Sequence, residues 1–156
     1  MTVTVWRIAV EAPTYTADDM NGTGAKLSGG RWNRIGTPMI YCASSIALAT
    51  LETVAHIRNN PLPFNRFLVR VDVPDDVWAT RTILDPLPGG WDSLPAGLTS
   101  SKAGEVWIAG GTSSILVVPS VIVPDEYNFL INPAHSDTSK ITATTLRKWN
   151  YDPRFF

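Results

Sequence analysis

The sequence predicts an α+β fold in which helices flank a mixed or mainly antiparallel sheet. Five segments rich in β-branched and aromatic residues predict strands, and two segments that open with polar residues predict helices short enough to pack on a sheet. Stretches rich in Gly, Pro, Asn and Ser bound these elements. The strand segments are residues 3–10, 38–43, 65–73, 114–118 and 127–131.

The two helices are predicted over residues 45–59, with Ser44 as the N-cap, and over roughly residues 99–110. Two Gly- and Pro-rich segments, 12–30 and 83–98, predict long loops. Loops of that length within a compact domain often carry function.

Composition places the chain among ordinary globular domains. It has 156 residues, of which 44% are hydrophobic and 17% charged, and it shows no repeat, low-complexity tract or linker. We expect one domain over residues 1–156 with a core that needs no disulfide or metal. The single cysteine, Cys42, cannot form an internal disulfide, which favours a reducing compartment.

Charge and hydropathy argue against two classes of partner. The formal net charge is -1 and the 13 basic residues are scattered, so no nucleic-acid footprint is predicted. No signal peptide and no apolar run of membrane-spanning length is present, so we expect a cytoplasmic protein with no membrane contact.

The segment Ser28-Gly-Gly-Arg-Trp-Asn33 is the first candidate site. Two glycines before Arg31 allow main-chain N–H groups and a planar guanidinium to converge on one phosphate. The segment matches neither a Walker loop nor a dinucleotide fingerprint. A surface arginine after an ordinary Gly-Gly turn is the alternative.

Glu52 is the second candidate. On the 45–59 helix its neighbours at helical spacing are Leu48, Ala49 and Ala55, which predicts a partly buried carboxylate. Such a group needs a hydrogen-bonding or cationic partner, and carboxylates in this situation are often catalytic. The alternative is a helix-edge glutamate paired with Arg58 or another base.

Other polar residues are weaker candidates. Tyr41 ends a strand segment just before the Glu52 helix, so the two side chains can project toward one cleft, although packing is a common role for a strand tyrosine. Ser120 ends another strand segment but lacks the nucleophile-elbow motif. His56 and His135 offer no zinc-ligand spacing, so we expect no metal.

The order of these motifs resembles that of the RES-domain family, which is named for an arginine, a glutamate and a serine. Those three positions correspond here to Arg31, Glu52 and Ser120, and the segment from residue 76 to 98 has no evident counterpart. The matching motifs are Trp6-Arg7-Ile8, Gly24-Ala25, Gly29-Gly30-Arg31-Trp32-Asn33, Tyr41, Ser44-x-x-x-Leu48-Ala49-x-x-Glu52, Val118-Pro119-Ser120, Asn128-x-x-x-Asn132-Pro133-x-His135 and Asp152-Pro153-Arg154.

The resemblance implies an ADP-ribosyltransferase-like fold and NAD⁺ as the substrate. Family members are toxins of type II toxin–antitoxin systems and are neutralised by Xre-type helix-turn-helix antitoxins. The implied activity is growth inhibition through cleavage of the nicotinamide–ribose bond, which depletes NAD⁺ by hydrolysis or phosphorolysis. Transfer of ADP-ribose to a cellular protein is the first alternative, and a non-enzymatic nucleotide-binding module is the second.

The resemblance also implies roles for individual residues. Glu52 would stabilise the transition state, with Arg31 and Tyr41 completing the catalytic set. The NAD⁺ contacts would come from residues of the Gly-rich turn and of three strand segments: Arg7, Gly30, Arg31, Asn33, Tyr41 and Ser120.

Overall fold

A computed structural model describes residues 1–57 and 64–156. One seven-stranded sheet runs through the molecule in the order β4-β5-β6-β2-β1-β3-β7. All neighbouring strands are antiparallel except β4 and β5, which are parallel. The α+β class and the mixed sheet are therefore confirmed. The strands are β1 Thr2–Val10, β2 Ile40–Ala43, β3 Arg66–Pro74, β4 Thr82–Ile83, β5 Ile115–Pro119, β6 Tyr127–Ile131 and β7 Thr142–Lys148.

Four α-helices and two 3₁₀ helices occur in the described residues. The α-helices are α1 Thr23–Ser28, α2 Ile46–Val54, α3 Asp75–Ala79 and α4 Leu98–Gly110, and the 3₁₀ helices are Ser136–Lys140 and Pro153–Phe155. No helix in the described ranges is long and apolar enough to cross a membrane.

The sheet has two apolar faces. On the face that we call the helix face, α2 and α4 pack against side chains such as Trp6, Leu116 and Leu130. The opposite face carries the alternate residues of the same strands, among them Val69 and Ile131, which are fully buried. Because side chains alternate along a strand, the face of every strand residue follows from this assignment.

One residue pair, Trp6 with Ala43, joins β1 to β2. By contrast, β1 and β3 pair along nine residues, from Thr2 opposite Pro74 to Val10 opposite Arg66. The sheet thus consists of two well-paired halves, β4-β5-β6-β2 and β1-β3-β7, with a short seam between them.

The structure corrects several predicted elements. The 12–30 segment contains α1 and is not wholly a loop, and α3, β4 and β7 were not predicted. The N-cap of α2 is Ser45, not Ser44, because the Ser45 hydroxyl accepts the Leu48 N–H at 3.0 Å. That helix ends at Val54, and the rest of the predicted 45–59 helix falls in turns or, for residues 58 and 59, outside the described residues.

Helix α4 lies close to the Gly-rich turn because most of the residues on its inner face are small. Ser100, Ser101 and Gly104 are buried there together with Trp107. A Cβ atom on Gly104 would lie 1.9 Å from the main-chain oxygen of Trp32, which no side chain tolerates. Glycine at this position therefore sets the distance between α4 and the Gly-rich turn.

We expect Gly104→Ala to lower the free energy of unfolding by about 1–3 kcal/mol, because the new methyl group must push α4 away from Trp32. Chemical denaturation measures the loss. Gly110→Ala is the matched control, since its Cβ meets nothing within 4 Å and alanine favours a helix. Equal stability of the two variants would contradict the close approach.

Candidate active site

Glu52 on α2 is held by two side chains from the neighbouring half-sheet. Its Oε1 accepts the Ser120 hydroxyl at 2.6 Å and the Asn128 side-chain amide at 2.8 Å. Its Oε2 makes no hydrogen bond to any residue the structure describes, and neither oxygen is ion-paired there. One oxygen of the carboxylate is therefore fixed by two hydrogen bonds, and the other receives none from the described residues. Arg58, the alternative partner named from the sequence, lies outside the described residues.

The fold places Glu52 over the ends of β5 and β6. Helix α2 starts directly after β2, and the buried residues Leu48 and Ala49 fix it against the helix face. Ser120 follows β5, and Asn128 on β6 pairs with Ala43 at the end of β2. Three neighbouring elements thus converge on one carboxylate.

Ser120 supports Glu52. Its side chain is fully buried, and its hydroxyl also accepts the N–H groups of Ile122 and Val123 at 3.1 Å each. A direct contact between Ser120 and NAD⁺ stays a prediction. In this structure the hydroxyl is engaged by Glu52 and by two main-chain N–H groups, as buried polar groups usually are.

Asn128 is a functional candidate that the sequence analysis left without a role. Its Nδ2 reaches Glu52, and its Oδ1 is buried without a partner among the described residues. The signal was present in the sequence, because an asparagine interrupts the otherwise apolar end of a strand segment. A polar residue buried at such a position requires a specific partner.

Tyr41 organises the Gly-rich turn. Its hydroxyl accepts the Trp32 N–H at 3.0 Å and donates to Asn33 Oδ1 at 2.6 Å. A Cβ atom on Gly30 would lie 2.7 Å from the same hydroxyl, so glycine is required for this approach. The turn closes on itself where the Gly30 N–H donates to the Asn33 carbonyl at 3.0 Å.

Burial raises the pKa of the Tyr41 hydroxyl well above its usual range. Hydrogen bonds at Trp32 and Asn33 and the nearby charge of Arg31 offset this only in part. Tyr41 therefore stays protonated at neutral pH and cannot act as a general base there. Its ring lies on the helix face, where it packs against the buried cluster that includes Trp32 and Leu130.

Asn33 is a structural residue of the turn. It is 1% exposed, and its amide donates to the carbonyls of Ala25 and Thr37 at 2.9 Å each. The NAD⁺ contact that the sequence suggested for its side chain stays a prediction, and in this structure the amide group is buried and hydrogen-bonded within the protein.

Arg31 is half-buried, and one edge of its guanidinium is occupied. Its Nη1 donates to the main-chain carbonyls of Trp91 and Ser93 at 2.8 and 2.9 Å. Nε and Nη2 make no hydrogen bond within residues 1–57 and 64–156. The fork of donors that suits a pyrophosphate is thus partly free.

Arg7 does not join this group. Along β1 it lies between Trp6 and Ile8 and shares the opposite face with Val5 and Ala9, away from α2. Its Nε and Nη1 are buried with no hydrogen-bond partner among the described residues. A pyrophosphate contact by Arg7 stays a prediction, and a ligand would have to make it from the other side of the strand.

Within the described part of the chain, no group of three or more His, Cys, Asp or Glu side chains is arranged to hold a metal ion. His56 is exposed, and His135 caps a 3₁₀ helix by accepting the Asp137 N–H at 3.0 Å. Arg31, Tyr41 and Glu52 remain the candidate residues, together with the groups that hold them.

The family model described as RES domain matches residues 4–153. This chain belongs to the RES-domain family. The match spans every element that carries a candidate site residue, from β1 to the segment after β7.

Named relatives identify the RES domain as part of a toxin family. A Sphingobium sp. (strain YBL2) protein named "Prs ADP-ribosylating toxin" is 53% identical over 156 residues, which is 99% of this chain and 97% of the relative. Proteins named "Toxin Res" are 38% identical in Photorhabdus laumondii, covering 85% of each chain, and 36% identical in Yersinia enterocolitica, covering 90% of this chain and 92% of the relative.

In this RES domain, Tyr41→Phe should lower the free energy of unfolding by about 1–3 kcal/mol. The substitution leaves the Trp32 N–H and Asn33 Oδ1 without their partner, and unsatisfied polar groups that are buried carry that cost. Urea denaturation measures it. Tyr127→Phe is the control, because Tyr127 is 49% exposed; an equal loss in both variants would exclude the turn as the cause.

Proposed function

We propose that this RES-domain chain is an NAD⁺-consuming toxin that breaks the nicotinamide–ribose bond and transfers ADP-ribose to a cellular protein. The observation that carries the proposal is the clamped Glu52 carboxylate, whose Oε2 is left without a hydrogen bond among the described residues. The "Prs ADP-ribosylating toxin" relative, at 53% identity, supports transfer over simple depletion of NAD⁺.

The chemistry needs one well-placed carboxylate. Nicotinamide in NAD⁺ is a cationic leaving group, so the C1′–N bond can break with its electron pair going to nitrogen and without a general acid. The ribose then gains oxocarbenium character, which nearby negative charge and hydrogen bonds to its hydroxyls stabilise. We assign that charge to Glu52, with Oε2 facing the sugar.

Residues around the turn would hold the rest of the dinucleotide. Arg31 offers Nε and Nη2 to the pyrophosphate, and the absence of a side chain on Gly30 lets the main chain approach it. The ring of Tyr41 would pack on the nicotinamide or ribose while its hydroxyl holds the turn closed. Ser120 and Asn128 act through Glu52 and do not touch the substrate.

Hydrolysis and phosphorolysis share the bond-breaking step with protein modification. In each case an acceptor forms a bond to C1′, and the acceptor is water, inorganic phosphate or a protein side chain. Water and a hydroxyl or amine side chain give up a proton as the bond forms, whereas phosphate attacks through an oxygen that is already ionised. A non-enzymatic nucleotide-binding module would instead keep the Arg31 contact and dispense with the Glu52 charge. The identity of the acceptor therefore distinguishes transfer from hydrolysis and phosphorolysis. A requirement for Glu52 distinguishes all three reactions from non-enzymatic binding.

A restraining partner follows from the proposal, because a free NAD⁺-consuming enzyme would stop the growth of its own host. We propose an Xre-type helix-turn-helix antitoxin and a cytoplasmic site of action, where NAD⁺ and its acceptor are both present. The name of the Sphingobium relative makes a Prs protein the first acceptor to test.

The deciding experiment incubates the purified protein with NAD⁺, with and without phosphate, and with a Prs protein or a cell lysate. Nicotinamide release and the fate of ADP-ribose are followed by mass spectrometry. ADP-ribose bound to a protein would support transfer, whereas free ADP-ribose or its phosphate adduct would support hydrolysis or phosphorolysis. No nicotinamide release under any condition would overturn the proposal.

Glu52→Gln should lower kcat for nicotinamide release by at least about 100-fold and abolish growth arrest. Glutamine still accepts the hydrogen bonds of Ser120 and Asn128, so the fold should persist while the charge is lost. Glu126→Gln, at an exposed position, is the matched control and should retain activity. A folded Glu52→Gln protein that still arrests growth would exclude Glu52 as the catalytic residue.

Asn128→Ala should lower kcat about tenfold or more with little change in the KM for NAD⁺, because it removes one of the two hydrogen bonds that orient Glu52. Steady-state kinetics on NAD⁺ separate the two constants. An unchanged kcat with a raised KM would instead mean that Asn128 contacts the substrate directly.

A further inference from the structure

The loop between β4 and α4 is fastened to Arg31. The carbonyls of Trp91 and Ser93 receive both hydrogen bonds of Arg31 Nη1, and the Ser100 hydroxyl donates to the Arg31 carbonyl at 2.8 Å. The other hydrogen bonds found for residues 85–96 are internal to the loop, such as Ser93 N–H to the Gly90 carbonyl at 3.2 Å. Arg31 is thus the polar connection between the loop and the turn.

Trp91 is the apolar anchor of the same loop. Its ring stacks on that of Trp32, with centroids 6.3 Å apart and planes inclined by 20°. Trp32 is buried at 3% exposure, and its carbonyl packs directly against Gly104 of α4. Because Trp32 cannot shift without moving α4, the stack fixes the part of the loop that carries the two carbonyls.

We propose that Trp91 is a positioning residue for Arg31 and sets the affinity for NAD⁺ without touching it. The stack on Trp32 fixes the two loop carbonyls, the carbonyls restrict the guanidinium to one orientation, and Nε and Nη2 are left for the pyrophosphate. This inference rests on the proposed function, since it takes the dinucleotide as the ligand of Arg31. It also gives the 84–97 loop a role in substrate binding.

A double-mutant cycle tests the inference by calorimetry with NAD⁺, in the Glu52→Gln background so that no turnover occurs. Trp91→Ala should raise the Kd for NAD⁺ roughly tenfold when Arg31 is present. The reason is that NAD⁺ must then order the Arg31 side chain on binding, at the entropy cost of a long side chain. In an Arg31→Ala background, the same substitution should have no further effect, because the orientation it maintains is gone.

Kinetics supply a second readout. With Glu52 intact, Trp91→Ala should raise the KM for NAD⁺ and leave kcat within about twofold, because the chemistry at the ribose does not use the loop. Leu94→Ala is the matched control from the same loop. The Leu94 side chain is 80% exposed, so its truncation should leave the loop carbonyls in place. Affinity and kinetics of that variant should equal those of the wild type.

Additive effects of Trp91→Ala and Arg31→Ala, or an unchanged Kd for Trp91→Ala, would overturn the inference while leaving the proposed function in place. No NAD⁺ binding by the parent protein would overturn both. If Trp91→Ala does not fold, Trp91→Leu replaces it in the cycle, because leucine fills much of the space but cannot stack on Trp32. Circular dichroism and thermal unfolding verify the fold of each variant.

Discussion

The shared hydrogen bonds on Glu52 Oε1 are the interaction on which the site depends. A partly buried carboxylate is stable only when polar groups compensate for its lost hydration. Ser120, which follows β5, and Asn128 on β6 provide that compensation from the same half-sheet, so Glu52 is held by the sheet as well as by its own helix. The orientation of this carboxylate is therefore a property of the fold.

In the neighbouring Gly-rich turn, most of the polar residues hydrogen-bond to other groups of the protein. Tyr41, Asn33 and Gly30 form a closed set of contacts that shapes the turn, and Arg31 emerges from it with one edge of its guanidinium held by loop carbonyls. Such supporting contacts restrict ligand-binding groups to few conformations before the substrate arrives. Geometry that is fixed in advance lowers the entropic cost of binding and of reaching the transition state.

The sequence pattern was sufficient to predict the strands that have at least one buried face. Segments 3–10 and 127–131 show β-branched and aromatic runs, and both are strands within one residue of the predicted bounds. Strand β7 was missed because all but one of its residues are exposed, so it lacks a buried face to mark it. Helix α1 was missed because it has no buried residue and contains a glycine.

The sequence singles out Arg31, Tyr41 and Glu52 as candidates, since each is a reactive or charged group beside a Gly-rich turn or an apolar face. Their catalytic roles stay a prediction, and the hydrogen bonds around them could be read only from the structure. The burial of Ser120 and Asn33 was not predictable, because it depends on which strands become neighbours. The same is true of Arg7, whose face of the sheet follows from the register between β1 and β3.

The short seam between β1 and β2 determines what makes the sheet rigid. With the single pair of Trp6 and Ala43, few main-chain hydrogen bonds resist sliding of one half-sheet past the other. The two halves are joined instead by packed side chains on both faces of the sheet, including Val5 with Ile131 on the opposite face and Ile8 with Leu48 on the helix face. Shear stiffness across the molecule thus comes from interlocking aliphatic groups, so the alignment of the halves depends on the shape of residues that carry no reactive group.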